Sequence, residues 1–319
     1  MRKRMLLCAS LFAMGFLVPP TQTHAAGNHS WVSPNGSDAN TCTQTSPCAT
    51  FAFAITQTSA GGEINCLGNG DYVGFTINQS IVIDCSGAVG ALGQSQNNQP
   101  AIKIGTSGIS VTLRHLSVEG FGTGQIGVGT GSGVSNVNLV IDNCIIDGFG
   151  NSGGNSGDAG VGIYLTPGGS RSSLTVTNTV ISGSNGTGGV GILVQPSGGA
   201  IVSVSLVGDL IQNNADGVFF NASAGVIAGV VVDSRVIENP FIGIVAGGSD
   251  YITIDSSTIA DNLVVGILSQ NSGANIAVTN TTITGNGLGV SGSAVTSFKN
   301  NRLFLNGTDG SFGGTQSSQ

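Results

Sequence analysis

The sequence has very few charged residues. Asp, Glu, Lys and Arg make up 8% of its 319 residues, against about 25% in an average soluble protein. Nine basic residues stand against sixteen acidic ones, and the formal net charge is −7. Nucleic-acid binding depends on Lys and Arg that neutralise phosphates, so this class of function is excluded and a polyanionic ligand is disfavoured.

Aromatic residues are also scarce, at 5%, whereas glycine is abundant, with 53 residues. Collagen is excluded because there is no Gly-X-Y period. Disorder is excluded because the chain is rich in Val and Ile, which disordered chains lack. No segment shows the 3.6-residue apolar period of helices. The composition therefore indicates an all-β protein with many short strands and tight turns.

The first 25 residues read as a cleaved export signal. MRKR is a basic start, MLLCASLFAMGFLV is an apolar stretch, and Thr23, His24 and Ala25 precede the expected cleavage point. Its removal leaves six of the nine basic residues. No later segment approaches the roughly 20 apolar residues of a membrane span. We expect export to an extracellular or periplasmic location.

A six-residue phrase recurs along the chain. It reads LRHLSV, IDNCII, VTNTVI, LVGDLI, VDSRVI, IDSSTI, VTNTTI and FKNNRL, and its last residues are Val118, Ile146, Ile181, Ile211, Ile237, Ile259, Ile283 and Leu303. A second phrase, of the type GI-x-I, falls between its copies. Repeats of 20 to 35 residues with variable loops predict stacked rungs of parallel strands.

Stacking assigns a role to each position of the phrase. The first and sixth residues are expected to point inward as aliphatic ladders. The third is expected in a left-handed turn, which Asn tolerates, and these residues are His115, Asn143, Asn178, Gly208, Ser234, Ser256, Asn280 and Asn300. A second asparagine column is predicted at Asn214, Asn262, Asn286 and Asn306. Repetition on every rung argues for a structural role rather than a catalytic one.

These repeats, together with the opening WVSPNGSDANTCTQTSPCATFAFAI and the segment AGGEINCLGNGDYVGFTINQSIVI, resemble the pectin-lyase-like superfamily. The resemblance implies a single right-handed parallel β-helix over residues 61–306. It further implies an N-terminal segment, 26–60, with a short capping helix at 48–59, and residues 307–319 are expected to form a flexible tail.

Within that resemblance, INCLG and IDCSG are the same phrase one rung apart. Cys66 and Cys85 are therefore expected to form a disulfide, and Cys42 and Cys48 to close a small loop. Cys144 is left as a packed free thiol.

The resemblance also implies where an active site would lie, namely in acids, bases or metal ligands on one outward face. The motifs of polygalacturonases, pectate lyases and pectin methylesterases are missing. Asp142, Asp233 and Asp255 occupy outward positions, and Asp233 and Asp255 are expected on adjacent rungs, where they would form either a solvated pair, a weak Ca²⁺ site or an acid pair. Asp209 and Arg235 are expected to form a surface ion pair.

The outward side of the GI-x-I strand presents apolar side chains on five consecutive rungs: Tyr164, Leu193, Phe219, Val245 and Leu268. Exposed stripes of this kind mark contact surfaces, unless loops such as 149–160 cover them.

The leading hypothesis is an exported, non-catalytic binding or structural protein directed at polysaccharide or other cell-envelope material. The alternative is a divergent polysaccharide lyase or glycoside hydrolase. A third option is self-association through the apolar stripe. Apart from the weak Ca²⁺ candidate, no cofactor is expected.

Overall fold

A computed structural model describes residues 27–86, 90–92, 99–150, 160–185, 188–271 and 273–316. The expected export signal lies outside the described residues. Apart from one helix, Phe51–Gln57, the regular structure is β-strand. No helix in the described part is long and apolar enough to cross a membrane.

The strands stack into a single parallel solenoid, which confirms the predicted fold class. Each rung contributes a strand to each of three faces, and every face pairs in parallel from rung to rung. We name the faces first, second and third in the order in which the chain visits them within a rung.

The first face contains the GI-x-I strands: Phe75–Ile77, Pro100–Ile104, Ile126–Thr130, Val161–Leu165, Val190–Val194, Val265–Ser269, Leu288–Ser291 and Thr308–Gly310. The second face contains Gly27–Val32, Thr58–Cys66, Ile81–Asp84, Ser110–Arg114, Asn138–Asp142, Arg171–Thr177, Ile201–Val207, Asn275–Thr279, Val295–Ser297 and Gly314–Thr315. Two long strands bend from the first face into the second: Asp216–Val232 and Ile242–Asp255.

The third face holds short strands: Gly70–Tyr72, Gly90–Leu92, Leu116–Glu119, Ile145–Asp147, Val180–Ser182, Leu210–Gln212, Arg235–Ile237, Thr258–Ala260, Thr282–Thr284 and Arg302–Phe304. Inward residues of all three faces form aliphatic columns that are almost completely buried, such as Val118, Ile146, Ile181, Ile211, Val236, Ile259 and Ile283. Each contributes about 1.5–3 kcal/mol by leaving water.

One rung is shifted by a residue from the predicted alignment. Val236, not Ile237, stacks on Ile211 and Ile259. The left-handed turn residue on that rung is consequently Asp233 (φ 49°) instead of Ser234. Lys299 (φ 68°) likewise replaces Asn300 on the last rung. The other six expected turn residues adopt positive φ as predicted.

The ends of the solenoid differ from the expectation. The helix is shorter than the predicted 48–59, and Asp38 accepts hydrogen bonds from the backbone of Ala49 and Thr50 at its start. The segment expected as a flexible tail contains two paired strands, 308–310 and 314–315, because Phe312 packs against the core there. Both predicted disulfides are present, and Cys144 is free and buried.

A buried asparagine ladder fixes the corner between the third and first faces. Asn239 Nδ2 donates to Asn262 Oδ1, and Asn262 Nδ2 donates to Asn286 Oδ1, each at 2.9 Å. Asn214 precedes this run and Asn306 follows it. Each amide also reaches a backbone carbonyl of the previous rung, as Asn262 does with Val236 at 3.2 Å. The predicted column is therefore correct, with Asn239 as an additional member.

The ladder explains the glycine of the GI-x-I phrase. A Cβ at Gly243 would lie 2.6 Å from the carbonyl oxygen of Gly266 and 2.8 Å from Asn262 Nδ2. The corresponding glycines on neighbouring rungs face the same crowding: Gly191, Gly217, Gly266 and Gly289. A side chain here would force the ladder apart.

We expect Asn262→Ala to lower the free energy of unfolding by about 3 kcal/mol, because it removes the acceptor of the buried Asn239 backbone N–H and the side-chain hydrogen bonds that link Asn262 to Asn239, Asn286 and the Val236 carbonyl. Urea unfolding would measure the change. The matched control is Asn275→Ala, whose side chain is exposed and which should change stability by no more than about 0.5 kcal/mol. Equal losses in the two variants would contradict a special role for the ladder.

Candidate functional site

The second face presents a strip of uncharged side chains to solvent. Its outer row, aligned from rung to rung, is Ser110, Asn138, Ser173, Ser203, Ala228, Tyr251 and Asn275. Its middle row is Thr112, Val140, Thr175, Ser205, Val230, Thr253 and Ala277. We call these two rows the neutral strip, because hydroxyl, amide and small apolar groups alternate along it without a formal charge.

At one end of the strip lies an open groove of about 280 Å³. Tyr251, 59% exposed, forms one wall, and half-buried Phe298 lies diagonally across from it, two rungs further on. Strand and rung spacings separate the Cα atoms of these two residues by roughly 16 Å. The floor and sides carry Thr253, Asn275, Ala277, Thr296 and Gln316. The groove thus combines two aromatic surfaces with hydroxyl and amide groups.

A second cleft of about 360 Å³ lies further up the same face. Ser110, Asn138, Ser173 and Ser203 line it, and Ser173 Oγ donates to Asn138 Oδ1 at 2.6 Å. Arg171 stands exposed at its side, and no described carboxylate lies within ion-pair distance of the guanidinium.

A row of charged side chains borders the strip on the side of the third face. Asp84, Arg114 and Asp142 stack there with alternating sign, and Arg114 Nε lies 3.7 Å from Asp142 Oδ2. His115 Nδ1 lies 2.9 Å from Asp84 Oδ1, and Ser86 Oγ contacts the same two atoms. Burial alone would raise the pKa of Asp84, but hydrogen bonds from Ser86 and His115 outweigh it and lower that pKa. Since serine and aspartate share one ring nitrogen, this is not the arrangement of a Ser-His-Asp triad, in which they bind opposite nitrogens.

The predicted acids do not converge. Asp255 stacks on Val232, while Asp233 occupies the turn, so the expected Asp233–Asp255 column is wrong by one residue. Asp142 lies four rungs from Asp255, about 19 Å away, and accepts a hydrogen bond from Thr177. Among the described residues, no group of three or more His, Cys, Asp or Glu is placed to hold a metal ion.

An adjacent-rung acid pair that the sequence reasoning missed lies on the third face. Glu119 and Asp147 are register partners there. Each carboxylate accepts a hydroxyl hydrogen bond, Glu119 from Ser117 at 3.0 Å and Asp147 from Ser182 at 2.5 Å. The shared position in LSVE and IIDG could have identified them.

The apolar stripe of the first face is less exposed than expected. Leu193 is 9% exposed and Val245 only 1%. Leu193 packs with Val161 and Val190 in an apolar cluster separate from the main core, and half-buried Tyr164 and Phe219 pack against that cluster. Leu268 is also half-buried. Binding or self-association through the stripe remains a prediction.

Asp216 lies within this apolar surface and was not singled out from the sequence. It stacks between Val190 and Ile242 and accepts a hydrogen bond from the Ile242 amide at 3.1 Å. Burial raises the pKa of Asp216 above its usual value. The first face also holds a cleft of about 410 Å³ beside Lys103, Tyr164, Thr130 and Thr166.

Asp209 belongs to a buried polar column, not to a surface ion pair with Arg235. It accepts from the Thr179 amide at 2.9 Å and its own amide donates to Ser234 Oγ, whereas Arg235 stacks on Leu210. Ser234 and its counterparts donate their hydroxyls to the carbonyl two residues earlier. An ionised carboxylate cannot donate, and Asp209 Oδ2 has no partner. Burial raises the pKa of Asp209 to about 7.

Comparisons with known proteins agree with this architecture. Residues 161–318 match a family model described as "Right handed beta helix region". Among solved structures, pectate lyase Pel9A has a TM-score of 0.61 at 16% identity, covering 86% of this chain and 78% of that one. No curated protein matches the sequence.

Two further solved structures share the fold. The Dettilon tailspike protein has a TM-score of 0.53 at 17% identity, covering 84% of this chain and 54% of that one. A rhamnogalacturonan lyase has a TM-score of 0.50 at 14% identity, covering 82% of this chain and 75% of that one. At these identities the similarity concerns the fold.

We expect stability to fall as the pH rises from about 4 to 7. The folded-state pKa of Asp209 lies above its unfolded value near 3.8, so its contribution is greatest below that value and is lost as the carboxyl ionises. Asp250 is fully buried, and burial raises its pKa to about 7, so its ionisation lowers stability over the same pH range. Asp209→Ser should reduce this slope and stabilise the protein by roughly 1–3 kcal/mol at pH 8.

Urea unfolding between pH 4 and pH 8 would test this expectation. Asp261→Asn, which alters an exposed carboxylate, should leave the slope unchanged. An Asp209→Ser variant with the slope of the original protein would show that the Asp209 carboxyl is not the titrating group.

Proposed function

We propose that this protein, a right-handed parallel β-helix of the pectin-lyase-like type, is a non-catalytic binding protein for neutral polysaccharide. The site is the groove between Tyr251 and Phe298 on the second face. The observation that carries this proposal is a groove in which two aromatic side chains, Tyr251 on the neutral strip and Phe298 beside it, flank uncharged hydroxyl and amide groups.

Sugar recognition requires both kinds of group. The C–H faces of a pyranose ring are apolar and pack against aromatic rings, while its hydroxyls need hydrogen-bonding partners. Tyr251 offers a ring with a polar end, and Thr253, Thr296, Asn275 and Gln316 provide hydroxyls and amides around Ala277. A concave site with a few convergent polar groups is the usual form of a ligand site.

At the groove, charge favours a neutral chain over an acidic one. The net charge of −7 disfavours polyanions through long-range repulsion. In the row next to the strip, Asp255 lies on the rung of Tyr251 and would repel an acidic sugar in the groove.

Two further observations support polysaccharide as the ligand and an exported setting. Pectate lyase and rhamnogalacturonan lyase, which share the fold, are named for polysaccharides. The two disulfides favour an oxidising compartment, which fits the N-terminal export signal expected from the sequence and a location outside the cell or in the periplasm.

Tyr251→Ala and Phe298→Ala should each weaken binding to neutral polysaccharide by about tenfold, or about 1.4 kcal/mol, because each removes one stacking surface. Affinity electrophoresis against glucan, mannan and xylan, with polygalacturonate and alginate as acidic counterparts, would select the polymer, and calorimetry would give the affinity.

The matched control is Phe241→Ala, which removes a 52% exposed aromatic ring away from the groove and should leave binding intact. Unchanged binding in both groove variants, or binding to the acidic polymers alone, would overturn the proposal. Release of reducing ends or unsaturated products during these incubations would favour an enzyme instead.

An enzymatic alternative is favoured by Asp216. A carboxyl whose pKa is raised in an apolar, outward-facing setting is suited to act as a general acid. In this alternative the protein is a carbohydrate-active enzyme whose acid lies on the first face. Asp142, Asp233 and Asp255 lie on the second face or in the turn after it and remain weaker candidates for a separate site.

If this alternative holds, Asp216→Asn should lower the rate of product formation by about 100-fold or more, which is the loss expected when general acid catalysis is removed. The affinity of the groove for polysaccharide should stay unchanged. Asp261→Asn, which alters an exposed carboxylate that is not a candidate acid, is the matched control. Activity that survives Asp216→Asn would exclude Asp216 as the acid.

A further inference from the structure

We infer that the groove continues along the neutral strip as one straight track, and that the protein therefore recognises long, extended β-1,4-linked neutral chains rather than short fragments or coiled chains. This inference rests on the proposed function and extends it to the length and shape of the ligand.

The two clefts of the second face lie on a single line. Tyr251 and Asn275 line the first, and Ser110, Asn138, Ser173 and Ser203 line the second. All six belong to the outer row of the strip, where each pairs in register with its neighbour. Six rung steps of about 4.8 Å give the row a length of about 29 Å.

Nothing large stands on this row between the clefts. Ala228 is the residue that links Ser203 to Tyr251, and it is exposed. The register shift between the two long strands lies before Ile227, so pairing across the strip is unbroken from Ile227 to Val232. A chain lying along the outer row past Asn275 and Tyr251 can pass over Ala228 into the second cleft without a bend, and it runs beside Phe298, which lies in the row next to the third face.

The far cleft offers hydrogen-bond donors to a neutral chain. Arg171 presents a guanidinium with no described acidic partner, and such a group has five donors. The Asn138 oxygen already accepts from Ser173, which orients the amide nitrogen of Asn138 for a ligand hydroxyl. Ser172 and Asn136 also line this cleft.

The geometry of the track selects the shape of the chain. In-register strands make the row straight, so its ligand must be straight over about 29 Å. Polymers of equatorially β-1,4-linked glucose, mannose or xylose form extended ribbons, whereas α-1,4-linked glucan coils. Once both clefts hold the same chain, the second contact is intramolecular, and affinity rises beyond that of either cleft alone.

The test uses cello-, manno- and xylo-oligosaccharides from disaccharide to octasaccharide, with malto-oligosaccharides of equal length as the coiled control. We expect affinity for at least one β-1,4 series to rise by tenfold or more with length and then level off, and the malto series to show no such rise. Calorimetry gives the affinity at each length.

Variants separate the track from the groove. Tyr251→Ala should weaken all lengths, whereas Arg171→Gln combined with Asn138→Ala should lower only the long chains to the affinity of the short ones. Ala228→Lys should do the same by blocking the middle of the track. Arg235→Gln, on the third face, is the control and should change nothing. Circular dichroism and thermal unfolding confirm that each surface variant is folded.

Length-independent affinity that still depends on Tyr251 would overturn the track while leaving the groove as the binding site. Long-chain affinity that survives both Ala228→Lys and the Arg171→Gln/Asn138→Ala variant would do the same. Absence of binding by every series, together with a negative polysaccharide screen, would overturn the proposed function itself.

Discussion

The hydrogen bond from one buried asparagine amide to the next holds the rungs from Asn214 to Asn306 in register, and the outer faces there depend on it. Asn239, Asn262 and Asn286 are almost completely buried, so each must satisfy its amide within the ladder or lose roughly 1–3 kcal/mol. A rung displaced by one residue would break the ladder and also turn its aliphatic residues from the core to solvent. The ladder and the core therefore select the same register.

Much of this fold could be predicted because each rung repeats the same requirement, and the one error shows what the apolar pattern lacks. In VVVDSRVIEN, two adjacent pairs, Val231–Val232 and Val236–Ile237, offer two equally apolar alignments. Asn239 resolves them, because an asparagine follows the inward residue by three positions on this rung and on its neighbours, as at Ile259 and Asn262. The spacing of the asparagines therefore identifies the register of this rung, whereas the apolar pattern alone favours the wrong alignment.

This one-residue shift in register determines whether Asp233 and Asp255 form a candidate site. With Asp233 placed in the strand, two carboxylates appeared to stack; with Asp233 in the turn, they do not. The exposure of the side chains on the first face could not be predicted from the sequence either, because the corner at Gly191 interrupts the inward–outward alternation of side chains along the strand. Val190 and Leu193, three residues apart, consequently share the outer side and bury each other. The neutral strip could be recognised only after seven rungs were aligned correctly.

Rung stacking also constrains where charge can lie, which bears on function. Like charges on adjacent rungs stand about 4.8 Å apart and repel by roughly 3–4 kcal/mol at an effective dielectric constant of about 20. On the second face Asp84, Arg114 and Asp142 alternate in sign, and on the third face Glu119 and Asp147 each accept a serine hydroxyl, with Asp147 open to solvent.

Neutral hydroxyls and amides carry no such repulsion and can recur on every rung. A stacked fold therefore offers a repeating, uncharged surface to a repeating, uncharged ligand more readily than it assembles several acids into one catalytic cluster. The second face has this uncharged surface, and its only large outward aromatic side chains, among the described residues of its groove, are Tyr251 and Phe298. Repetition along the helix axis and localisation of the aromatic rings at one end together suit a polymer that is held along its length and anchored at one point.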